Sequence, residues 1–467
     1  MFEYIHKNLK EYYKLLSVSF LLSAIVSVLL ISSIGMRTAA MLFAALFFLT
    51  MNIYLIFKDR KKSILLFLVL LPIYTTVRRI CYFDFFFIKI TFETIYVAIL
   101  FIFSFKDIVK IKLNRSFLYL ILVFLILCIN SSFFSSDIMR SLREVYIGLL
   151  TPVMLMMTFI TYFHKEDKYK VYYSVISAMN FSCIYGYLQL LMKGARSLST
   201  IKSNRIFLTF GFHNVNIFAG ILITILPLLL EMILYKKNTK KEKLYIYLSF
   251  LNYTLAIILT FTRGAWLTYI MVIFLSLMGK KYRKILYLAS IPAVFLAKPV
   301  LSYIINRGTS TSFLNNSSAV ARLQSIFTDI IIMNKYPFGI GGGSFAEAYK
   351  RFSFEGYLLM PENIRFNAIV APYPLEHAHN LLLQIGVEFG IVAAIIFVLI
   401  IINCIKASWA DLSYSSGALI GIVIYFIFSV ITGNEFNHKG VITGTVVIFI
   451  LFGIVHLGSK KNKCKAN

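Results

Sequence analysis

The stretch GFHNVNIFAGILITILPLLLEMILYKKNTKKEK, Gly211 to Lys243, decides the fold. Its centre stays apolar for about twenty residues, the length an α-helix needs to cross roughly 30 Å of hydrocarbon. His213, Asn214 and Asn216 stand before the run, and a cluster of lysines follows it. A helix that is apolar on every side, polar at one mouth and basic at the other reads as a membrane span.

The pattern recurs along the chain. Its 467 residues are 59% hydrophobic and only 14% charged, with a mean hydropathy of +0.80, far from the composition of a soluble domain. Candidate spans fall at 15–34, 38–57, 63–77, 83–105, 117–134, 145–163, 171–192, 211–235, 244–262, 264–279, 285–304, 381–403, 415–433 and 441–457. They predict an all-α polytopic membrane protein of about 12–14 transmembrane helices, with one long extracytoplasmic loop containing amphipathic helices. The first run, Leu15 to Ile34, has no small-residue cleavage site and reads as a retained helix. The five cysteines lack zinc or disulfide spacing and read as packing residues. The net charge of +27 is scattered between spans, which argues against a nucleic-acid partner.

Lysine sets the expected orientation. KDRKK (58–62), KDIVKIKLNR (106–115), HKEDKYK (164–170), KKNTKKEK (236–243), KKYRK (280–284) and KKNKCK (460–465) fall on alternate connectors. The positive-inside rule therefore puts those loops and both termini in the cytoplasm of a multi-pass protein. The opposite connectors carry arginines instead, among them Arg78, Arg205, Arg263 and Arg322. Guanidinium forks bind phosphate oxygens two at a time, so an arginine-rich outer face suits an anionic ligand. Four regions follow: N-terminal spans (1–204), spans carrying the helix mouth and the Arg263 turn (205–304), the long outer loop (305–378), and C-terminal spans with a tail (379–467). In the loop, SSAVARLQSIFTDIIIMNK (317–335) has apolar residues at helical spacing, and YPFGIGGGSF (336–345) breaks that helix with a proline and four glycines.

The residues able to do chemistry gather at outer helix ends. Arg263, in LTFTRGAWL, sits where two apolar runs turn back on each other. His377 and His379 precede the helix expected to open near Asn380; with no HExxH or CxxC in the chain, they suit proton transfer better than a metal. Asn214 and Asn216 offer hydrogen bonds at the mouth of the 211–235 span, with helix capping as the plain alternative for Asn214.

RGAWL (Arg263 to Leu267), HNLLLQIGVEFG (His379 to Gly390), GFHNVN (Gly211 to Asn216) and ARLQSIFTDIIIMNKYPFGIGGGSF (Ala321 to Phe345) together resemble the bacterial O-antigen ligase and O-antigen polymerase family. Val215 departs from the proline common in the family's helix-mouth motif, and fourteen spans exceed the twelve typical of the ligases. The resemblance implies a glycosyltransferase that takes a glycan from undecaprenyl diphosphate on the outer side of the bacterial cytoplasmic membrane. It implies no cofactor and no metal. The implied partners are the lipid-linked oligosaccharide, an acceptor glycan or lipid, and the membrane. His379 takes the part of general base, while Arg263 and Arg205, helped by Arg322, take the diphosphate. His377 and Glu376 would orient His379 or bind sugar hydroxyls, Asn214, Asn216 and Asn380 would contact substrate, and Glu388 would pair with an arginine to fix the mouth. A polymerase of surface polysaccharide ranks first, because a composition rich in Lys, Ile, Asn and Phe suggests an AT-rich genome. A ligase, a protein oligosaccharyltransferase and, in another class, a flippase of lipid-linked sugars remain alternatives.

Overall fold

The computed structural model describes residues 16–28, 35–78, 82–85, 88–111, 114–209, 212, 214–279, 282, 284, 317–365, 375–409, 411–432 and 442–459. In chain order the helices are α1 (Leu16–Val28), α2 (Met36–Lys58), α3 (Arg60–Val77), α4 (Phe92–Val109) and α5 (Arg115–Ser132), then α6 (Ile138–Tyr162), which contains a π-helical turn at Tyr146–Leu150. They continue with α7 (Lys168–Met192), α8 (Leu198–Asn204), a 3₁₀ turn at Arg205–Leu208, α9 (Val215–Leu234), α10 (Lys240–Leu259) and α11 (Arg263–Leu277). The outer loop supplies α12 (Ser317–Lys335), α13 (Phe345–Leu358) and α14 (Glu362–Arg365), and the C-terminal part α15 (Leu381–Phe389), α16 (Ile391–Trp409), α17 (Leu412–Thr432) and α18 (Ile442–Ser459). Among the described residues seven helices are long and apolar enough to cross a membrane. The protein is an all-α polytopic membrane protein, and the strands among the described residues form one small hairpin of β1 (Phe83–Phe85) and β2 (Ile88–Ile90).

The opening stretch forms the centre of the bundle. Every residue of α9 from Ile217 to Met232 is buried, and the helix packs against α7, α10, α11 and α17. Its one acid, Glu231, is paired with Lys168 and takes hydrogen bonds from Tyr172 (3.1 Å) and the Gly417 N–H (2.7 Å). Neighbouring pairs tie other lysine-rich connectors to the same end: Lys61 with Asp167 at 2.7 Å, Arg60 with Asp107 at 2.9 Å and Lys165 with Asp411 at 3.0 Å. The opposite end holds Arg78, Arg205, Arg263 and the outer-loop helices, so the alternation of lysine connectors is a real two-ended arrangement.

Two expected spans differ from what forms. The 83–105 run opens with the hairpin, Phe83 facing Ile90 in an antiparallel register. Its helix begins only at Phe92, after Thr91 closes a capping box with Thr94. Alternating FDF and IKI segments fit a pleated strand better than a helix, and the threonine cap marks the true start. Lys89 therefore belongs to the hairpin, while Glu93 pairs with Arg78 at 3.3 Å. The 381–403 run is broken at Gly390, whose φ is +94°, so a short helix leads into a separate span, α16. The 285–304 span and the loop residues 305–316 and 366–374 lie outside the described residues.

Candidate active site

Five elements meet at the 260–264 turn. Phe261 has φ +50°, a left-handed conformation that reverses the chain between α10 and α11. Arg205 reaches across from the 3₁₀ turn, donating from one Nη to the carbonyls of Thr260 (3.1 Å) and Phe261 (3.3 Å). These are the carbonyls of the α10 C-cap and of the residue after it, groups the helix cannot satisfy internally. Thr262, the N-cap of α11, donates its hydroxyl to Asn216 Oδ1 at 3.1 Å and makes no side-chain cap to its own helix. Arg263 is the first residue of that helix and is half-buried. A cation at a helix N-terminus opposes the helix dipole, and a bound anion would reverse that penalty. Gly264 lets the turn approach α17: a Cβ there would overlap Thr432 Cγ2.

A second cluster surrounds the histidines. His377 Nε2 and His379 Nδ1 lie 3.0 Å apart, with the rings edge to face. His379 has φ +54°, a conformation that β-carbons disfavour and that surrounding contacts must enforce. Those contacts grip the residue between the histidines. The Ala378 N–H donates to Gln384 Oε1 at 2.8 Å, and the Ala378 carbonyl accepts from Ser325 of α12 at a longer 3.4 Å. Ser325 also meets Asp329 at 3.1 Å, whose carboxyl is pushed well above its usual range by burial. Arg322 lies one turn before Ser325 on α12 and is half-buried.

The Gly-rich turn closes this cluster from behind. Gly339, Gly341 and Gly343 all have positive φ, and the turn bonds to the end of α15 through Ile340 N–H to Val387 O (3.1 Å) and Gly341 N–H to Glu388 O (2.9 Å). A Cβ on Gly339 would overlap the Glu388 carbonyl, and one on Gly390 would meet the Pro337 carbonyl at 2.7 Å. The glycines therefore serve a tight bend that locks the helix break.

Several of the expected site residues also hold helix ends together. Glu388 does not pair with an arginine: it is 1% exposed and its carboxyl accepts from the N–H groups of Gly343 (2.8 Å) and Phe345 and from Gln384. It thus caps the start of α13, where Ser344 makes no side-chain cap. Asn380 caps α15 by accepting from Leu382 (3.0 Å) and Leu383 (3.1 Å) N–H, and Asn214 caps α9 by accepting from Asn216 N–H at 2.6 Å. His213 lies outside the described residues, and Glu376 is exposed beside the pair. Gln384 and Ser325 went unnoticed in the sequence; the one available signal was Gln384 at an otherwise apolar position of HNLLLQIGVEFG. Among the described residues no three or more His, Cys, Asp or Glu side chains gather as a metal site.

The arginine turn and the histidine segment stand at the same end of the bundle, the end α17 reaches at Thr432, and α15 also packs on α17. No curated protein matches the chain. Residues 248–398, from within α10 through the Arg263 turn, the outer helices and both histidines into α16, match the family model described as O-antigen ligase. This match, within a helical membrane bundle, identifies residues 248–398 as an O-antigen ligase domain and supports a place for the chain in the O-antigen ligase and polymerase family.

Proposed function

We propose that this protein is a membrane glycosyltransferase that moves a glycan from undecaprenyl diphosphate to an acceptor hydroxyl outside the bacterial cytoplasmic membrane, acting as a surface polysaccharide polymerase. The observation that carries the reading is the His377–His379 pair, held in a strained backbone at the arginine end of the bundle. A base needs a lone pair facing its substrate. If His379 donates its Nδ1–H to His377 Nε2, its own Nε2 keeps that lone pair, and His377 steadies the imidazolium that forms.

The acceptor hydroxyl then attacks the anomeric carbon as its proton passes to His379 Nε2. The bond between that carbon and the diphosphate oxygen breaks, and the electron pair leaves with the lipid diphosphate. Arg263, with Arg205 and Arg322, neutralises the departing charge without a metal ion. Single displacement inverts the anomeric centre. Polymerase is preferred over ligase on the AT-rich composition alone.

The test compares donor affinity with transfer rate for folded variants in nanodiscs. His379→Ala lowers turnover by about 10²–10⁴-fold while donor binding persists. Arg263→Ala weakens donor binding as well, and Arg263→Lys restores it only in part, because an ammonium lacks the planar fork. Near-normal turnover in His379→Ala, or a loss of donor binding as severe as in Arg263→Ala, removes the base assignment.

A further inference from the structure

A cavity of about 890 Å³ opens between α2, α3 and α7, away from the histidines. Its helical lining comes from the arginine-end half of these helices, with Ala40 and Ala44 on α2, Val77 on α3, and Phe181 and Met192 on α7. Ala40 and Ala44 are four apart, so two small side chains share one face and leave the space that α3 and α7 do not fill. Thr76, one of the few polar lining residues, donates its hydroxyl within its own helix to the Pro72 carbonyl at 2.7 Å, which keeps the wall apolar.

The mouth of this groove is cationic. Lys193, at the end of α7, lies over the Phe207 ring at 4.9 Å, and both residues line the cavity. Among the described residues no acidic side chain lines it. Phe207 belongs to the same 3₁₀ turn as Arg205, whose guanidinium bonds the turn next to Arg263. Two residues of 3₁₀ helix advance only about 4 Å, so one short turn touches the groove with Phe207 and the arginine cluster with Arg205. Gly186 fixes this turn on α7, since a Cβ there would overlap the Leu208 carbonyl.

We propose that the groove seats the isoprenoid chain of the lipid carrier, with its phosphates passing Lys193 toward Arg205 and Arg263. This rests on the glycosyltransferase reading for the identity of the lipid. The physical requirement is more general: a long apolar chain in the membrane half of the site, ending in phosphate at the cationic rim. An ordinary phospholipid is the competing occupant.

The experiment uses the full-length protein in phosphatidylcholine nanodiscs and undecaprenyl phosphate carrying a photoreactive group in its chain, with crosslinks mapped by mass spectrometry. Crosslinks are expected on α2 and α7 around Met41 and Met192, displaced by unlabelled undecaprenyl phosphate and not by phosphatidylglycerol. Ala44→Trp fills the groove and should cut this labelling at least about tenfold. Ala40→Trp, at an exposed position where the ring cannot disturb the core, should act in the same direction. Labelling spread equally over other lipid-facing helices, displacement by phosphatidylglycerol, or labelling unchanged in both tryptophan variants overturns the proposal. Specific labelling in a protein that transfers no glycan would sink the glycosyltransferase reading and leave the groove assignment standing.

Discussion

At the scale of single residues, strain and burial mark the histidine segment. A residue such as His379 with φ +54° costs about 1–3 kcal/mol, and it persists because Gln384 and Ser325 hold Ala378 while Asn380 caps the next helix. Gln384 in turn leans on Glu388, whose pKa is raised to about 8, chiefly by burial, against the lowering effect of its hydrogen bonds. The native protein thus keeps a proton on Glu388 that the unfolded chain releases near its ordinary value of 4.5. Between those two values the native state binds more protons, so stability falls as pH rises, by at most about 1.4 kcal/mol per pH unit from this group. Glu388→Gln should flatten that part of the profile of melting temperature against pH. A variant whose profile parallels the wild type would show that Glu388 is ionised in the fold. The sequence marked Glu388 as notable, yet its partner Gly343 is forty-five positions away, a relation that helical spacing cannot express.

At the scale of elements, glycine decides how closely helices meet. Gly264 allows α11 to lie against Thr432 and Phe428 of α17, directly after Arg263. Gly264→Val adds three carbons where even a Cβ has no room, so the start of α11 must move away from α17. The expected outcome is a destabilisation of about 1–3 kcal/mol and lost donor binding, measured by thermal melts beside lipid-donor affinity. Donor affinity and melting temperature both equal to the wild type would show that the contact does not position Arg263. Element boundaries were legible where a cap or a lysine run marks them, as at Asn214 and at Lys236 to Lys243. They were not legible at Gly390 or in the 83–90 hairpin, because apolar length alone does not register a break enforced by a distant turn. The Gly-rich stretch looked like a bend; what it bends against, the end of α15, appears only in three dimensions.

At the scale of the whole molecule, the two ends of the bundle differ in how they treat charge. At one end Lys61, Lys165 and Lys168 are each joined to an acid from another segment, so the charges that orient the chain also fasten its connectors together. At the other end arginines contact backbone carbonyls, as Arg205 does, or begin a helix, as Arg263 does, arrangements suited to meeting an incoming anion. If the lysine end is cytoplasmic, the histidines and the outer-loop helices face the compartment where surface glycans are assembled. Cysteines at exposed Ser203, beside Arg205, and exposed Ser413, beside Asp411, test this in a background with Cys81 and Cys464 changed to serine. Cys128, Cys183 and Cys404 are buried and can stay. Ser353, although part of the outer loop, is unsuitable because α13 buries it. A membrane-impermeant thiol reagent should label Ser203→Cys in intact cells and reach Ser413→Cys only after the membrane is opened. The reverse pattern would place the histidine pair in the cytoplasm, where no outward-facing glycan could reach it, and the proposed reaction would fail together with the orientation.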